Sequence, residues 1–284
     1  MAFEIIANKP VKLTHCRSYM AGAVGLEIKR KHGIPFVFDM RGFWADERKE
    51  GGLWPYSNPI YRAVYKSVKR LERKLLQNAD HIISLTHKGK DIIEGWNHIR
   101  DFGESISVIP CCADLKHFDP SRYSSKDKET LRESYHLAHE DLVIGYVGSI
   151  GTWYMLDEML DAFAVWHKYI PNLKLFFLSK LSQSEIQPKL AKRAIPPDSV
   201  RIQSTSYDHV PKHIAMFDVG LFFILPVFSK SASSPVKQGE MLAMGLPVLC
   251  NRGVGDTDRV IEEIDEALLI DECNENGYKK ALPI

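Results

Sequence analysis

The chain has 284 residues, of which 45% are apolar and 26% charged, with a formal net charge of +1; the length suits two domains, and the charge excludes a global basic field for nucleic acid. The longest apolar run, "VGLFFILPVF" from 219, falls well short of the roughly 18 to 20 residues that cross a bilayer, and the opening "MAFEIIANKP" lacks the basic start and apolar centre of a secretory signal, so a cytoplasmic protein is expected. Five cysteines, none in a Cys-x-x-Cys pair, exclude a disulfide framework and a zinc site, and the adjacent Cys111 and Cys112 read as small, partly buried residues.

Short runs rich in Val, Ile and Phe alternate with longer helical patterns along the whole chain, which predicts parallel sheets with crossover helices. The first strands expected are "VKLTHC" from 11, "PFVFDM" from 35, "HIISLT" from 81 and "ISVIP" from 106. Between them, "YRAVYKSVKRLERKLLQNA" from 61 puts Tyr61, Val64, Tyr65, Val68, Leu71 and Leu75 on one helical stripe, with basic residues on the solvated face. The polar stretch "CCADLKHFDPSRYSSKDKE" from 111 reads as a linker, which sets the domains at 1–115 and 116–284. Beyond it the strands "LVIGYVGSI", "LKLFFLS", "VRIQST", "VGLFFI", "PVLCN" and "ALLID" make a complete Rossmann-like unit, whereas the first domain has only four.

Late in the chain, "SASSPVKQGEMLAMGLPVLC" from 231 predicts a helix with Ser234 as N-cap and Pro235 at its first position, ending near Met244 before Gly245. At about 100° per residue, Val236, Gly239, Leu242 and Ala243 share one face, expected to meet the core, while Ser233, Lys237 and Glu240 share a polar one. Free N–H groups at a helix tip, the Ser233–Ser234 pair and Lys237 suit a phosphate. The Glu240 carboxylate suits the vicinal hydroxyls of a ribose, and the two together suit a nucleotide. A capped helix with Lys237 and Glu240 facing solvent is the plain structural alternative.

This segment resembles the donor-binding signature of glycosyltransferase family 4, the retaining, sugar-nucleotide-dependent enzymes of GT-B fold. "LERKLLQNADHIISLT", "ISVIPCCADLKHFDP" and "LVIGYVGSIGTWYMLDEMLDAF" resemble that family's successive segments in the same order, over about residues 11 to 270. The resemblance implies two Rossmann-like domains facing a cleft, with the acceptor on the first and the nucleotide on the second. It implies a donor set of Gly148, Ser149, Tyr207, Ser233, Ser234, Lys237 and Glu240, with Tyr207 against the base. In the first domain His15 and Arg17 stand at the family's His-x-His, and Asp39 and Arg41 follow a strand where they could meet acceptor or transferred sugar, with Trp44 as a sugar platform. An internal ion pair shaping the 38–52 loop is the alternative there. No cofactor and no metal are implied, the nucleotide-diphosphate sugar being a substrate; Asp256 or Asp258 of "GDTDRV" is expected to cap the following helix.

The partners implied are a nucleotide-sugar donor and a glycan or lipid-linked acceptor, with cell-surface polysaccharide synthesis as setting; peripheral association with the inner face of a membrane is compatible with this. Three departures stand against the resemblance. Ala232 replaces the first of two glutamates, Ser149 and Tyr154 replace an arginine and a lysine expected at the diphosphate, and the first domain lacks its usual opening strand and glycine-rich loop. Lys230 is a further cation available to the phosphates. A fragment, a second polypeptide completing the domain, or a trimmed fold each account for the missing start. A non-catalytic nucleotide-sugar-binding subunit and a sugar-nucleotide epimerase are the competing readings.

Overall fold

The computed structural model describes residues 2–264 and 268–282 and divides into two compact units. The first comprises residues 1–110, 226–234 and 254–256, and the second 111–225, 235–253 and 257–284. The division is therefore not one cut after residue 115: two later segments fold back into the first unit.

In the first unit the elements run α1 Ala2–Asn8, β1 Thr14–Arg17, α2 Ser18–His32, β2 Phe36–Asp39, α3 Trp44–Glu50, α4 Pro59–Asn78, β3 His81–Ser84, α5 His87–Glu94 and β4 Ile106–Val108. The four strands form one parallel sheet in chain order, with Arg17 in register with Asp39 at the ends of β1 and β2. Phe36, Phe38, Tyr19, Leu75, Leu76 and Ile82 make the core between this sheet and helices α2 and α4. Gly22 of α2 permits the close approach, since a Cβ there would stand 2.9 Å from a Leu75 methyl.

The expected apolar stripe of α4 is only partly a core face. Leu75 and Leu76 are fully buried, Val68 and Leu71 partly so, and Tyr61 and Val64 are exposed. The helix is 20 residues long, about 30 Å, and outruns the four short strands beneath it.

The second unit contains α6 Ser125–Ser134, β5 Leu142–Val147, α7 Leu156–His167, β6 Leu173–Leu178, α8 Gln183–Lys192, β7 Val200–Gln203, α9 Val210–Ile214, β8 Val219–Phe222, α10 Val236–Ala243, β9 Val248–Asn251, α11 Thr257–Glu262, β10 Leu268–Ile270 and α12 Glu275–Lys280. Its six strands are all parallel, in the order β10-β9-β8-β5-β6-β7. The strand order reverses between β5 and β8, and that point in such a sheet opens a crevice at the carboxyl ends of the strands. Cys111 is partly buried, as expected, but Cys112 is exposed.

Gly145, in the middle of β5, lets the Phe217 ring lie on the sheet: an added Cβ would fall 1.9 Å from that ring. Neither a central strand nor a buried aromatic ring can yield that much. Gly145→Ala is expected to destabilise the second unit by roughly 1–3 kcal/mol, read from urea or thermal unfolding.

Candidate functional site

At the strand-order reversal of the second unit, β5 runs into Gly148 and α10 follows β8. Helix α10 begins one residue later than the sequence predicts: Pro235 is the N-cap, with no side chain capping the tip, and Val236 is the first helical residue. Met244 closes the helix and Gly245 follows with φ +71°. The buried face is also the reverse of the expected one. Lys237, Gln238, Glu240 and Met241 are buried, while Val236 is exposed and Gly239, Leu242 and Ala243 are half-buried. The close helix–sheet approach comes from Gly220 of β8, where a Cβ would stand 2.6 Å from the Met241 sulfur.

Burying that face buries two charges. The Lys237 side chain lies between two tyrosines, its Nζ 4.0 Å from the Tyr146 ring centre and 3.7 Å from that of Tyr154. Lys237 is only 8% exposed, and Nζ has no hydrogen-bond partner among the described residues. Burial pushes its pKa from 10.5 down to about 7, with Glu240 pulling the other way. Gly148, at φ +110°, adjoins it: a Cβ there would be 3.4 Å from Nζ, an ordinary contact, and it is the backbone conformation that calls for glycine. The Tyr146 hydroxyl donates to the carbonyl of exposed Ser149 at 2.8 Å.

One turn further on, Glu240 accepts a 3.3 Å hydrogen bond from the Tyr207 hydroxyl. Burial raises its pKa, against the opposing effects of Tyr207 and Lys237. Tyr207 is 58% exposed and stacks on His117 with ring centres 4.9 Å apart. The result is a row of buried ammonium, buried carboxylate and exposed aromatic platform, all within the second unit.

The other expected members of the donor set are divided between the units: Ser233 and Ser234 belong to the first, and the chain passes to the second at Pro235. Ser233 lies against Gly255, and its N–H donates to the Lys230 carbonyl at 3.1 Å. Lys230 is buried with its Nζ on Glu47 at 3.0 Å, which accounts for its charge without a phosphate. Ala232 is 3% exposed in the first unit's core, where the resemblance would put a glutamate.

At the carboxyl ends of the first unit's strands, exposed Arg17 stands beside Asp39 in register. One Asp39 oxygen, Oδ2, lies 3.7 Å from His15 Nε2; the other, Oδ1, is buried with no hydrogen-bond partner among the described residues. Arg41 follows with φ +61° and Gly42 with φ +109°, a conformation costly for a side-chain-bearing residue.

Trp44 is not an open sugar platform: it is half-buried against Tyr19 and Trp54, with Arg48 over its ring. Asp46 is consumed internally by Tyr65 at 2.7 Å and Lys69 at 2.9 Å, so the ion-pair alternative holds for this part of the loop. Asp256 caps α5, accepting from the backbone N–H of His87 and Lys88, rather than the helix that follows it. Asp258 lies in the first turn of α11 and accepts from the Gly253 N–H. Among the described residues no three His, Cys, Asp or Glu converge as metal ligands.

Sequence reasoning missed Tyr146 and His117. Tyr146 is two residues before Gly148, and the period-2 alternation of a strand puts both on one side. Nothing local marks His117.

Residues 2–111 match the family described as "Glycosyl transferase 4-like domain". That segment is similar to a glycosyl transferase 4-like domain. Over 239 residues the chain is 23% identical to an alpha-monoglucosyldiacylglycerol synthase of Acholeplasma laidlawii, covering 81% of the present chain and 56% of that protein. The chain therefore spans little more than half the length of that relative. A structure of Anabaena Alr3699/HepE in complex with UDP and glucose superposes with a TM-score of 0.70 at 15% identity, over 99% of the present chain and 70% of the other. Sucrose-phosphate synthase from Thermosynechococcus elongatus gives 0.65 at 16% identity, over 99% and 66%. The fold of the chain is that of the GT-B glycosyltransferases.

The lysine also predicts a pH dependence. Between about pH 7 and 10.5 the unfolded chain binds a proton that the folded chain lacks, so Lys237 makes stability rise with pH across that window. Below about pH 7 both states hold the proton, and the folded state carries the cost of a buried charge. Lys237→Met is expected to flatten that rise and to stabilise the free protein by a few kcal/mol at neutral pH, measured by urea unfolding of both proteins across the window.

Proposed function

We propose that the chain is a metal-independent glycosyltransferase that moves a sugar, with retention, from a nucleoside-diphosphate sugar to a glycan or lipid-linked acceptor in cell-surface polysaccharide synthesis. The observation that carries this reading is the Lys237 ammonium, buried and without a hydrogen bond beside Gly148 at the strand-order reversal. A buried amine with an unfilled donor capacity at that position suits a diphosphate. Glu240 suits the ribose hydroxyls and Tyr207 the base. Gly148 leaves room for phosphate close to the backbone, and Ser149 adds an exposed neighbour.

In retaining transfer without a protein nucleophile, the acceptor hydroxyl attacks from the face the diphosphate leaves, so charge stabilisation on the leaving group outweighs a strong base. Lys237 and the tip of α10 serve that role, Ser233 and Ser234 being secondary candidates. On the first unit, Asp39 is proposed to contact acceptor or transferred sugar through its unsatisfied Oδ1, with Arg17 and Arg41 as nearby cations. The Acholeplasma laidlawii relative is named for a glucosylated lipid, which supports a lipid-linked acceptor. The buried Ala232 and the neutral Ser149 and Tyr154 favour, as second reading, a nucleotide-sugar binder without turnover; release of free sugar from the donor separates the two.

Calorimetry with UDP and GDP tests the donor site. One of them should bind, and Glu240→Ala and Lys237→Ala should each weaken binding about tenfold or more, the first through ribose and the second through diphosphate. Diphosphate restores charge to the amine, so binding should take up a proton and weaken as pH rises above about 7, seen as a heat that depends on the buffer. Equal affinity in wild type and both variants would remove the assignment.

A further inference from the structure

The Tyr207 ring is gripped from below and at its tip. His117 stacks beneath it, Phe118 meets it edge-on at 5.9 Å, and its hydroxyl reaches Glu240 at 3.3 Å. Its backbone belongs to a three-residue 3-10 turn, Tyr207–His209, that runs straight into α9, a helix of five residues with a proline in its first turn. A helix that short has no stability of its own, so its place is set by the side chains it buries. Pro211 and the run from His213 to Phe217 are all buried, and His213 is the one polar member.

Both nitrogens of the His213 ring are used. Nδ1 lies 2.8 Å from the His209 carbonyl, which can only accept, so Nδ1 carries the proton. Nε2, 2.9 Å from the Tyr135 hydroxyl, is therefore the acceptor of the neutral ring. Tyr135 closes α6, packs edge-on against Phe176 of β6 with ring centres 5.0 Å apart, and accepts on its carbonyl a 2.9 Å bond from Arg201 of β7. A chain of contacts thus runs from the sheet through Tyr135 and His213 to the last carbonyl of the turn that carries Tyr207. It suits one protonation state only. A second proton on the ring would make Nε2 a donor and cost Tyr135 its acceptor. Phe176 is the other ring beside His213, 6.5 Å away, and the charges that reach it, Lys212 and His209, both oppose a positive ring. Burial, reinforced by those charges and opposed by the His209 carbonyl, holds its pKa below the ordinary 6.5.

We propose that His213 is a positioning residue for nucleotide recognition: as the neutral Nδ1–H tautomer it ties the Tyr207 turn to α6 and the sheet, and so presents the tyrosine ring to the base. This rests on the reading of Tyr207 as the base platform. The sign of a pH dependence follows from it. Below about pH 6.5 the released segment takes up a proton that the packed one refuses, so acid favours release and the platform is lost. Lys237 works in the opposite direction, since its protonation favours a diphosphate. Nucleotide affinity should then pass through a maximum near neutrality, its acid limb belonging to His213 and its alkaline limb to Lys237.

Hydrogen exchange of the free protein and calorimetry with UDP and GDP, each from about pH 5 to 8, test it. In wild type the amides of residues 205–214 should lose protection severalfold on acidification, while those of the central strands β5 and β6 keep theirs. His213→Gln keeps an acceptor for Tyr135 and cannot take a proton. It should bind nucleotide within about threefold of wild type at pH 7.5, and it should lose the acid limb in both measurements while keeping the alkaline one. Titration of the nucleotide's own phosphates is common to both proteins, so the difference between their profiles reports His213. His213→Ala and Tyr135→Phe break the link and should each weaken binding about fivefold or more at neutral pH, the scale of one base stack. Superimposable pH profiles in wild type and His213→Gln, or protection at 205–214 that no variant alters, would overturn the proposal. If wild type binds neither nucleotide, the donor reading falls and takes the base platform with it, and exchange alone then decides whether His213 holds the turn.

Discussion

A lysine held between two tyrosine rings with no hydrogen-bond partner is the constraint around which the second unit is arranged. Taking an ammonium out of water costs several kcal/mol, and two aromatic faces return only about 1–2 kcal/mol each. The deficit appears as the fall in the Lys237 pKa to about 7. Met241 beneath the sheet-facing side of α10 and Gly220 beneath Met241 set how deep the helix lies, and that depth puts Nζ between the rings. Gly148 beside it is held at φ +110°, a backbone conformation that favours glycine. The cost is local, and the remainder of the unit, with Trp166, Phe176, Phe177 and Phe222 fully buried, supplies the stability that offsets it.

The first unit shows the same physics with the opposite sign. Parallel strands end with their last residues side by side, so β1 and β2 bring His15, Arg17 and Asp39 to one edge. One carboxylate oxygen there is buried and unsatisfied, and the backbone turns sharply at once through Arg41 and Gly42, both at positive φ. The Tyr19 hydroxyl gives its one proton to buried Glu72 at 2.6 Å, with the Gly42 carbonyl 3.2 Å from the same oxygen, which ties the turn to the core. Of the several buried polar atoms without a hydrogen-bond partner among the described residues, Asp39 Oδ1 lies at the carboxyl edge of the first unit's sheet and Lys237 Nζ lies beside Gly148, just past β5 of the second.

The strands were legible because buried parallel strands are nearly unbroken apolar runs: nine of the ten predicted runs contain a strand, and the first overlaps β1 without reaching Arg17. What periodicity could not supply is direction. It groups Lys237 with Glu240 and Val236 with Leu242, but which group turns inward depends on Gly220 and Met241 across the sheet, and the charged group won. On α4 the period was read rightly and its extent was not, since nothing in the helix says where the sheet beneath it stops. Asp256 caps a helix that begins 169 positions earlier, and Ser233 folds with the unit opposite to Lys237 four residues on. Such closures are set by tertiary structure and leave no trace in local spacing.

The family resemblance clarifies what the departures accomplish. Its relatives are expected to hold diphosphate with an arginine and a lysine from the loop after the first donor-domain strand, and this chain has Ser149 and Tyr154 there. Tyr154 is not merely a lost cation, because its ring lies 3.7 Å from the ammonium that α10 supplies. An aromatic at the loop position and a lysine on the helix form one device: the ring stabilises the charge, and Tyr146 from β5 closes the other side. Removing either tyrosine leaves Lys237 poorer in charge stabilisation, and removing the lysine leaves two tyrosines facing a vacated slot, so the three positions should vary together. The buried Ala232 is a different kind of change. A glutamate there would have to enter the core of the first unit beside Gly89, whose backbone is so close that an added Cβ would stand 3.0 Å from the alanine methyl. The first carboxylate of the family pattern therefore has no room in this packing, whereas at the loop positions the nearest buried cation is Lys237 of another element.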